Sequence, residues 1–199
     1  MCFVLLSPSA ASADVGIGAR AGLQWIYLEG DGSPSDLRGY VFGADLHARV
    51  TKNLALATGL DASLYDRRSD RLPYGRVASS FAPFVGLRLD TNPEGPWSAR
   101  IELATAARWI TLPLDGESEH LFGIEPLRLR VGPAVRIARS FDLALLLGAG
   151  FGWFTSHSGA SACAATASCA DSRLDSDTSS PVHFVTDFTL VGTWRHPDG

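Results

Sequence analysis

The segment 40–50, YVFGADLHARV, alternates between two kinds of side chain. Its even-numbered positions are all apolar, whereas Gly43, Asp45, His47 and Arg49 lie between them. A period of two predicts a β-strand with one apolar face. Similar alternation recurs about eight times along the chain, and the apolar faces end in aromatic residues, as is typical of strands that meet lipid. The sequence therefore predicts a transmembrane β-barrel whose charged faces meet inside.

Length and charge agree with a single barrel domain. The chain has 199 residues and a formal net charge of −4, which gives no support for nucleic-acid binding. One stretch, 143–154, is apolar enough to be considered for a membrane helix. It is too short to span a bilayer and carries Gly148, Gly150 and Gly152 at alternate positions. We therefore expect the chain to cross the membrane as strands.

Residues 1–13 are predicted to be a signal peptide, and residues 14–199 the barrel. Positions 3–6 form a short apolar core, and Ala11, Ser12 and Ala13 match a small-x-small cleavage pattern. No basic residue precedes the core, so we expect the translation start to lie upstream of Met1. The alternative is a flexible N-terminal tail.

The cysteines fit an exported protein. Cys2 falls in the predicted signal peptide, whereas Cys163 and Cys169 lie six residues apart and are predicted to form a disulfide that closes a small loop. A metal site there would need more ligands than His157 alone, so we predict no metal and no cofactor.

Eight strands are predicted at 15–28, 38–50, 54–66, 77–90, 97–112, 123–138, 141–156 and 181–195. The connections between them alternate strictly between long and short, and the longest spans 155–180. Outer-membrane barrels alternate in this way because their periplasmic turns are short and their external loops are long. We therefore predict an all-β, eight-stranded, antiparallel up-and-down barrel with both termini on the periplasmic side.

Aromatic residues at the ends of the apolar faces predict two belts at the headgroup levels of the membrane. The predicted outer belt contains Trp25, Tyr27, Tyr40, Trp109 and Trp153, and the inner belt contains Trp97, Phe141 and Trp194.

The opposite faces carry charges that are predicted to form one network in the lumen, since buried charges are costly unless they are paired. The predicted members are Arg20, Asp45, His47, Arg49, Asp61, Arg88, Arg100, Glu102, Arg108, Arg128, Arg130, Arg136, Asp142 and Asp187. Glycines between them are expected to make room for the guanidinium groups. The arginines outnumber the acids by eight to five in this set. We predict a largely plugged lumen; the alternative is an anion-favouring path or a bound anion.

Taken together, these patterns resemble the small outer-membrane β-barrel families of the OmpA transmembrane domain, OmpX and OmpW-like proteins. The resemblance covers residues 14 to about 195. It implies an outer-membrane location in a bacterium and contact with membrane lipid and lipopolysaccharide. The last strand, with Phe184, Phe188 and Trp194, resembles the C-terminal signal that the barrel-assembly machinery recognises. We expect a monomer.

An enzymatic alternative rests on Ser156, His157 and Ser158, because some small barrels are lipid A deacylases with serine and histidine near the external rim. In a strand, the two serines share one face and the histidine lies on the other, which is awkward for direct pairing. We therefore predict a non-enzymatic protein whose loops contact lipopolysaccharide or outside partners. A narrow pore or small-solute transporter is the first alternative and a lipid A-modifying enzyme the second. A soluble lipocalin-like barrel would need the apolar faces turned inward.

Overall fold

The computed structural model describes residues 15–29, 35–66, 77–113, 118–159 and 182–195. No helix among these residues is long and apolar enough to cross a membrane. The chain forms eight strands: β1 (Val15–Glu29), β2 (Ser35–Arg49), β3 (Leu54–Asp66), β4 (Val77–Asp90), β5 (Trp97–Pro113), β6 (Ser118–Ala138), β7 (Phe141–Gly159) and β8 (Val182–Arg195).

The strands close into a barrel. Each pairs antiparallel with the next, and β8 returns to pair with β1 from Gly16↔Arg195 to Glu29↔Val182. The predicted fold class is confirmed. One end of the barrel, the short-turn end, holds residues 50–53, 91–96 and 139–140 together with Val15 and Arg195. The opposite end is called the long-connection end.

Three strands extend three or more residues further toward the long-connection end than predicted, and β1 and β5 extend by one residue each. β2 begins at Ser35 rather than 38, β6 begins at Ser118 rather than 123, and β7 continues to Gly159 rather than 156. The extra residues of β6 and β7 pair with one another, as in His120↔Ser158. Their polar composition suggests a loop, but backbone pairing with a neighbouring strand does not require apolar side chains.

The two faces of the strands are divided as predicted. In β2, Tyr40 and Phe42 are 60% and 51% exposed, whereas Val41 between them is fully buried. The apolar faces therefore point outward and the charged faces point inward. The inward-facing apolar arrangement of a soluble lipocalin-like barrel is not the one that this chain adopts.

The strict alternation fails in β6, where a β-bulge changes the phase of the strand. The pairing of β6 with β7 shifts between Ile124 and Leu127, and Pro126 and Leu127 are both exposed. Before the bulge, the inward residues are odd-numbered and include Glu125; after it they are even-numbered and include Arg128. A bulge adds one residue to one strand of a pair and so reverses the faces beyond it.

Candidate functional site: the charged interior

The interior is dense in charge. Among the described residues, six arginines and seven carboxylates are buried. The arginines are Arg20, Arg88, Arg100, Arg108, Arg128 and Arg130, and the acids are Asp45, Asp61, Asp90, Glu102, Glu125, Asp142 and Asp187. They lie in layers along the barrel, and each layer combines residues from several strands.

The central layer begins with two arginines that share two acids. Arg20 Nη2 lies 2.7 Å from Asp45 Oδ2, and its Nη1 lies 3.3 Å from Glu102 Oε2. Arg88 Nη2 lies 2.9 Å from Asp45 Oδ1 and 2.8 Å from Glu102 Oε1. The Nδ1 atom of His47 is 3.2 Å from Arg88 Nη1. Each carboxylate therefore bridges two guanidinium groups.

Two further arginines complete the central layer from the opposite wall. Arg128 lies 2.7 Å from Asp61 and 3.1 Å from Asp187. Arg130 lies 2.9 Å from Asp61 and 3.0 Å from Asp187. Arg20 Nε, at 3.7 Å from Asp61 Oδ1, joins the two halves. Four guanidinium groups and four carboxylates thus form one charge-balanced network, which we call the central network.

Glycines provide the space that this network occupies. A Cβ at Gly43 would lie 2.3 Å from Asp61 Oδ1 and 2.9 Å from Arg20 Cγ. A Cβ at Gly148 would lie 2.4 Å from Asp187 Oδ1 and 2.9 Å from Arg130 Cγ. No side chain larger than hydrogen fits at these two positions without displacing the network, as expected from the sequence.

Nearer the long-connection end lies a second layer built on a single ion pair. Arg108 donates to Glu125, and His183 Nε2 lies 3.3 Å from the same carboxylate. Arg108 Nη1 also donates to Ser80 Oγ at 3.0 Å and to Gln24 Oε1 at 3.3 Å. The buried cation and the buried anion of this layer are thus surrounded by further polar side chains.

An apolar layer closes the interior beyond that ion pair. It contains Ile26, Leu37, Tyr65, Ala78, Ile110, Leu121, Phe154 and Val185, all buried. Tyr65 belongs to both layers, because its hydroxyl donates to Gln24 Oε1 at 2.6 Å. Inward apolar side chains exclude water from this part of the lumen.

The layer at the short-turn end is organised around Arg100 and Asp142. Arg100 Nε donates to Asp90 Oδ1 at 2.8 Å, and its Nη2 lies 3.6 Å from Asp142 Oδ2. Arg195 also pairs with Asp142, and Arg136 Nε lies 3.5 Å from Asp142 Oδ1. Arg136 further donates to the backbone carbonyls of residues 93 and 94 in the turn 91–96.

The predicted lumen residues are brought together with two differences. Arg49 and Arg136 are half-buried at the short-turn end rather than inside the lumen. Asp90 and Glu125 are interior acids that the sequence analysis missed: Asp90 ends its strand and resembles a turn residue, and Glu125 is turned inward by the bulge. The predicted excess of arginine over acid is wrong for the buried interior as a whole, where seven acids face six arginines.

The aromatic residues of both predicted belts lie on outward faces. At the short-turn end, the rings of Phe141 and Trp194 are 4.6 Å apart between centroids, and Trp97 is 65% exposed. At the other end, Trp109 packs on Phe122 at 4.7 Å and Phe81 at 6.2 Å.

The remaining members of the outer belt are also outward. Tyr27 and Tyr40 are exposed, whereas Trp25 and Trp153 are half-buried. Cys163 and Cys169 lie outside the described residues, as do residues 1–13. The backbone of His157 pairs with Leu121, but its side chain is also outside the described part.

Comparison with known proteins relates the chain to others by fold. No protein-family model matches the sequence, and no curated protein matches it. Among solved structures, Neisserial surface protein A matches with a TM-score of 0.58 and 10% sequence identity, over 90% of this chain and 97% of that protein. A major outer membrane protein from Thermus thermophilus matches with a TM-score of 0.50 and 12% identity, over 93% of this chain and 100% of that one. This chain therefore has the closed eight-stranded fold of the small outer-membrane β-barrels.

Proposed function

We propose that this chain is an integral protein of the bacterial outer membrane with a closed lumen and a non-enzymatic role. In this role the long connections contact lipopolysaccharide or outside partners. The observation that carries the proposal is the filled interior. The ion-pair layers and the apolar layer follow one another along the lumen, which supports a closed interior rather than a conduit.

The outward surface supports a membrane location. In β7, the outward residues Phe141 and Trp153 are separated by 12 positions. At about 3.3 Å per residue and a strand tilt of about 40°, this spacing corresponds to roughly 30 Å along the membrane normal. That distance is close to the thickness of the hydrocarbon core, about 30 Å. The short-turn end then faces the periplasm and the long connections face outward.

The charged residues of the long connections indicate how this end would bind lipopolysaccharide. The segments 29–38, 66–76, 115–120 and 155–181 contain eleven carboxylates and six arginines. Lipopolysaccharide is itself anionic, so we expect divalent cations to bridge its phosphates to these carboxylates. The arginines in the same segments are able to bind phosphates directly.

Two measurements test the proposal. In planar bilayers, the purified chain should give no steady ion conductance, because the layers leave no continuous water path. In pull-down experiments, it should retain lipopolysaccharide in millimolar Mg²⁺ and release most of it in a chelator.

Each part of the proposal has its own contrary result. A steady conductance would favour the narrow-pore alternative. Absence of lipopolysaccharide binding in Mg²⁺ would remove the proposed contact while leaving the membrane location intact. Deacylation of lipid A by the purified chain would overturn the non-enzymatic role.

A further inference from the structure

The interior layers differ in their balance of charge. The central network contains four arginines and four carboxylates. The layer nearer the long-connection end contains one of each, Arg108 and Glu125. At the short-turn end, in contrast, Arg100, Arg136 and Arg195 face two carboxylates, Asp90 and Asp142. Arginines therefore outnumber their carboxylate partners at this mouth, whereas the other two layers are balanced.

Three guanidinium groups converge on one carboxylate there. Arg100, Arg136 and Arg195 all approach Asp142, from β5, β6 and β8. A carboxylate has only two oxygens and saturates with about four hydrogen bonds, so it cannot engage three guanidinium groups in full. Consistent with this limit, Arg136 Nε is buried and has no hydrogen-bond partner among the described residues.

Among the described residues, the other hydrogen-bond partners of Arg136 and Arg195 are uncharged. Arg136 donates to the carbonyls of Glu94 and Pro93, and Arg195 Nη1 donates to Pro93 O at 3.4 Å. Backbone carbonyls satisfy hydrogen-bond donors but leave the positive charge uncompensated. A cavity of about 10 Å³ lies among these groups and is also lined by Asn92 and Ser98. A space of that size holds about one water molecule or one oxygen atom of a larger group.

Within the described part of the chain, the mouth is partly exposed on one side. The side chain of Arg136 is 26% exposed and that of Arg195 is 10% exposed. In the turn that follows Arg136, Arg139 is exposed as well. Guanidinium groups bind phosphate oxygens through two parallel hydrogen bonds. Among the described residues, the neighbouring guanidinium groups of Arg136 and Arg195 share one carboxylate, that of Asp142, so a phosphate would pair with the remaining positive charge.

We propose that the short-turn mouth binds a phosphate group, with Arg136 and Arg195 as its principal ligands and one phosphate oxygen directed into the cavity beside Asn92 and Ser98. The phosphate arrives from the periplasmic side, either as a free anion or as the headgroup of an anionic phospholipid of the inner leaflet. The site is independent of the proposed contacts at the long-connection end.

The experiment measures the thermal unfolding midpoint of the full chain in nanodiscs. One arm uses zwitterionic phosphatidylcholine discs and adds inorganic phosphate, with chloride at equal ionic strength as the reference. The other arm replaces part of the lipid with phosphatidylglycerol in the absence of phosphate. Binding to the folded state raises the midpoint. A rise in the first arm identifies free phosphate as the source, and a rise in the second alone identifies the lipid headgroup.

Variants locate the site. Arg195→Gln should weaken binding about tenfold or more, since it removes a charge-assisted hydrogen bond to the phosphate. Arg195→Lys should retain part of the effect, because it keeps the charge but loses the fork. Arg38→Gln removes an exposed arginine at the opposite end and should leave binding unchanged. No midpoint rise in either arm, or an equal loss in Arg38→Gln and Arg195→Gln, would overturn the proposal.

Discussion

Arg130 and Asp61 join opposite walls of the barrel: the Nη2 atom of Arg130 in β6 lies 2.9 Å from Oδ2 of Asp61 in β3. The two residues are 69 positions apart in sequence and both are buried. Asp61 also forms ion pairs with Arg128, at 2.7 Å, and with Arg20, at 3.7 Å. One carboxylate thus holds guanidinium groups from two other strands, β1 and β6.

Removing that carboxylate should be strongly destabilising. Asp61→Ala leaves three buried guanidinium groups with one acid fewer, and breaking a buried ion pair on one side costs about 3–5 kcal/mol. The free energy of unfolding in urea, measured in lipid vesicles by tryptophan fluorescence, should fall by about that amount. Asp36→Ala, which breaks the exposed pair with Arg38, is the control and should cost less than about 1 kcal/mol. Equal losses in the two variants would contradict a stabilising role for the central network.

The pair of Arg108 and Glu125 should show strong coupling. Arg108→Met leaves the buried carboxylate of Glu125 without its cationic partner, and Glu125→Gln leaves the guanidinium of Arg108 without its anionic one. Each substitution should lower the free energy of unfolding by about 3 kcal/mol. The double variant removes both charges and should cost clearly less than the sum of the two. A double-mutant cycle on the same urea unfolding assay measures the difference. Additive losses would mean that the two side chains do not stabilise one another.

Two glycines of β7 provide a matched test of interior space. Gly148→Ala should be destabilising, because the new Cβ would lie 2.4 Å from Asp187 Oδ1. Gly150→Ala, two residues along on the same face, places its Cβ 3.4 Å from the nearest atom, Arg128 Cγ, and should be tolerated. The measurement is the temperature at which the compact band in dodecyl sulfate gels converts to the unfolded band. A shift of that temperature in both variants alike would show that the two positions do not differ in the space around them.

A side-chain hydroxyl group on the outward face replaces backbone pairing that is interrupted at the bulge of β6. Thr105 Oγ1 donates to the carbonyl of Pro126 at 3.0 Å, where the ladder between β5 and β6 is interrupted. In lipid no water is available for that carbonyl. Thr105→Val should therefore cost about 1 kcal/mol in urea unfolding from vesicles. Thr186→Val is the control, since Thr186 makes no side-chain hydrogen bond within the described part of the chain; a cost as large as that of Thr105→Val would contradict the assignment.

The barrel could be predicted from sequence because its two faces meet environments of opposite polarity. In a strand such as β2, the polarity of each side chain indicates which face of the strand it occupies. This pattern can be recognised without knowledge of the neighbouring strands. The alternation of long and short connections then predicted which strand ends lie together at each end of the barrel.

The interior could be predicted only in part. Which arginine meets which acid depends on register and curvature, as for Arg20 and Glu102, which lie 82 positions apart in sequence. Glu125 was missed because a bulge reverses the faces of β6, and Pro126 beside it was the available signal, since proline within a strand marks edges and bulges. Gln24 and His183 were not predicted, because polar residues of these types also occur in loops and at strand ends.

The central network also has a consequence for how the barrel is made. The strands β1–β4 supply Arg20, Arg88, Asp45 and Asp61, and β5–β8 supply Arg128, Arg130, Glu102 and Asp187. Each half is neutral on its own, yet Arg20 and Arg88 reach Glu102, while Arg128 and Arg130 reach Asp61. Each half alone would keep the contacts of Asp45 or Asp187 but lack those that cross to Glu102 and Asp61. We therefore expect closure of the barrel to coincide with its proposed entry into the membrane.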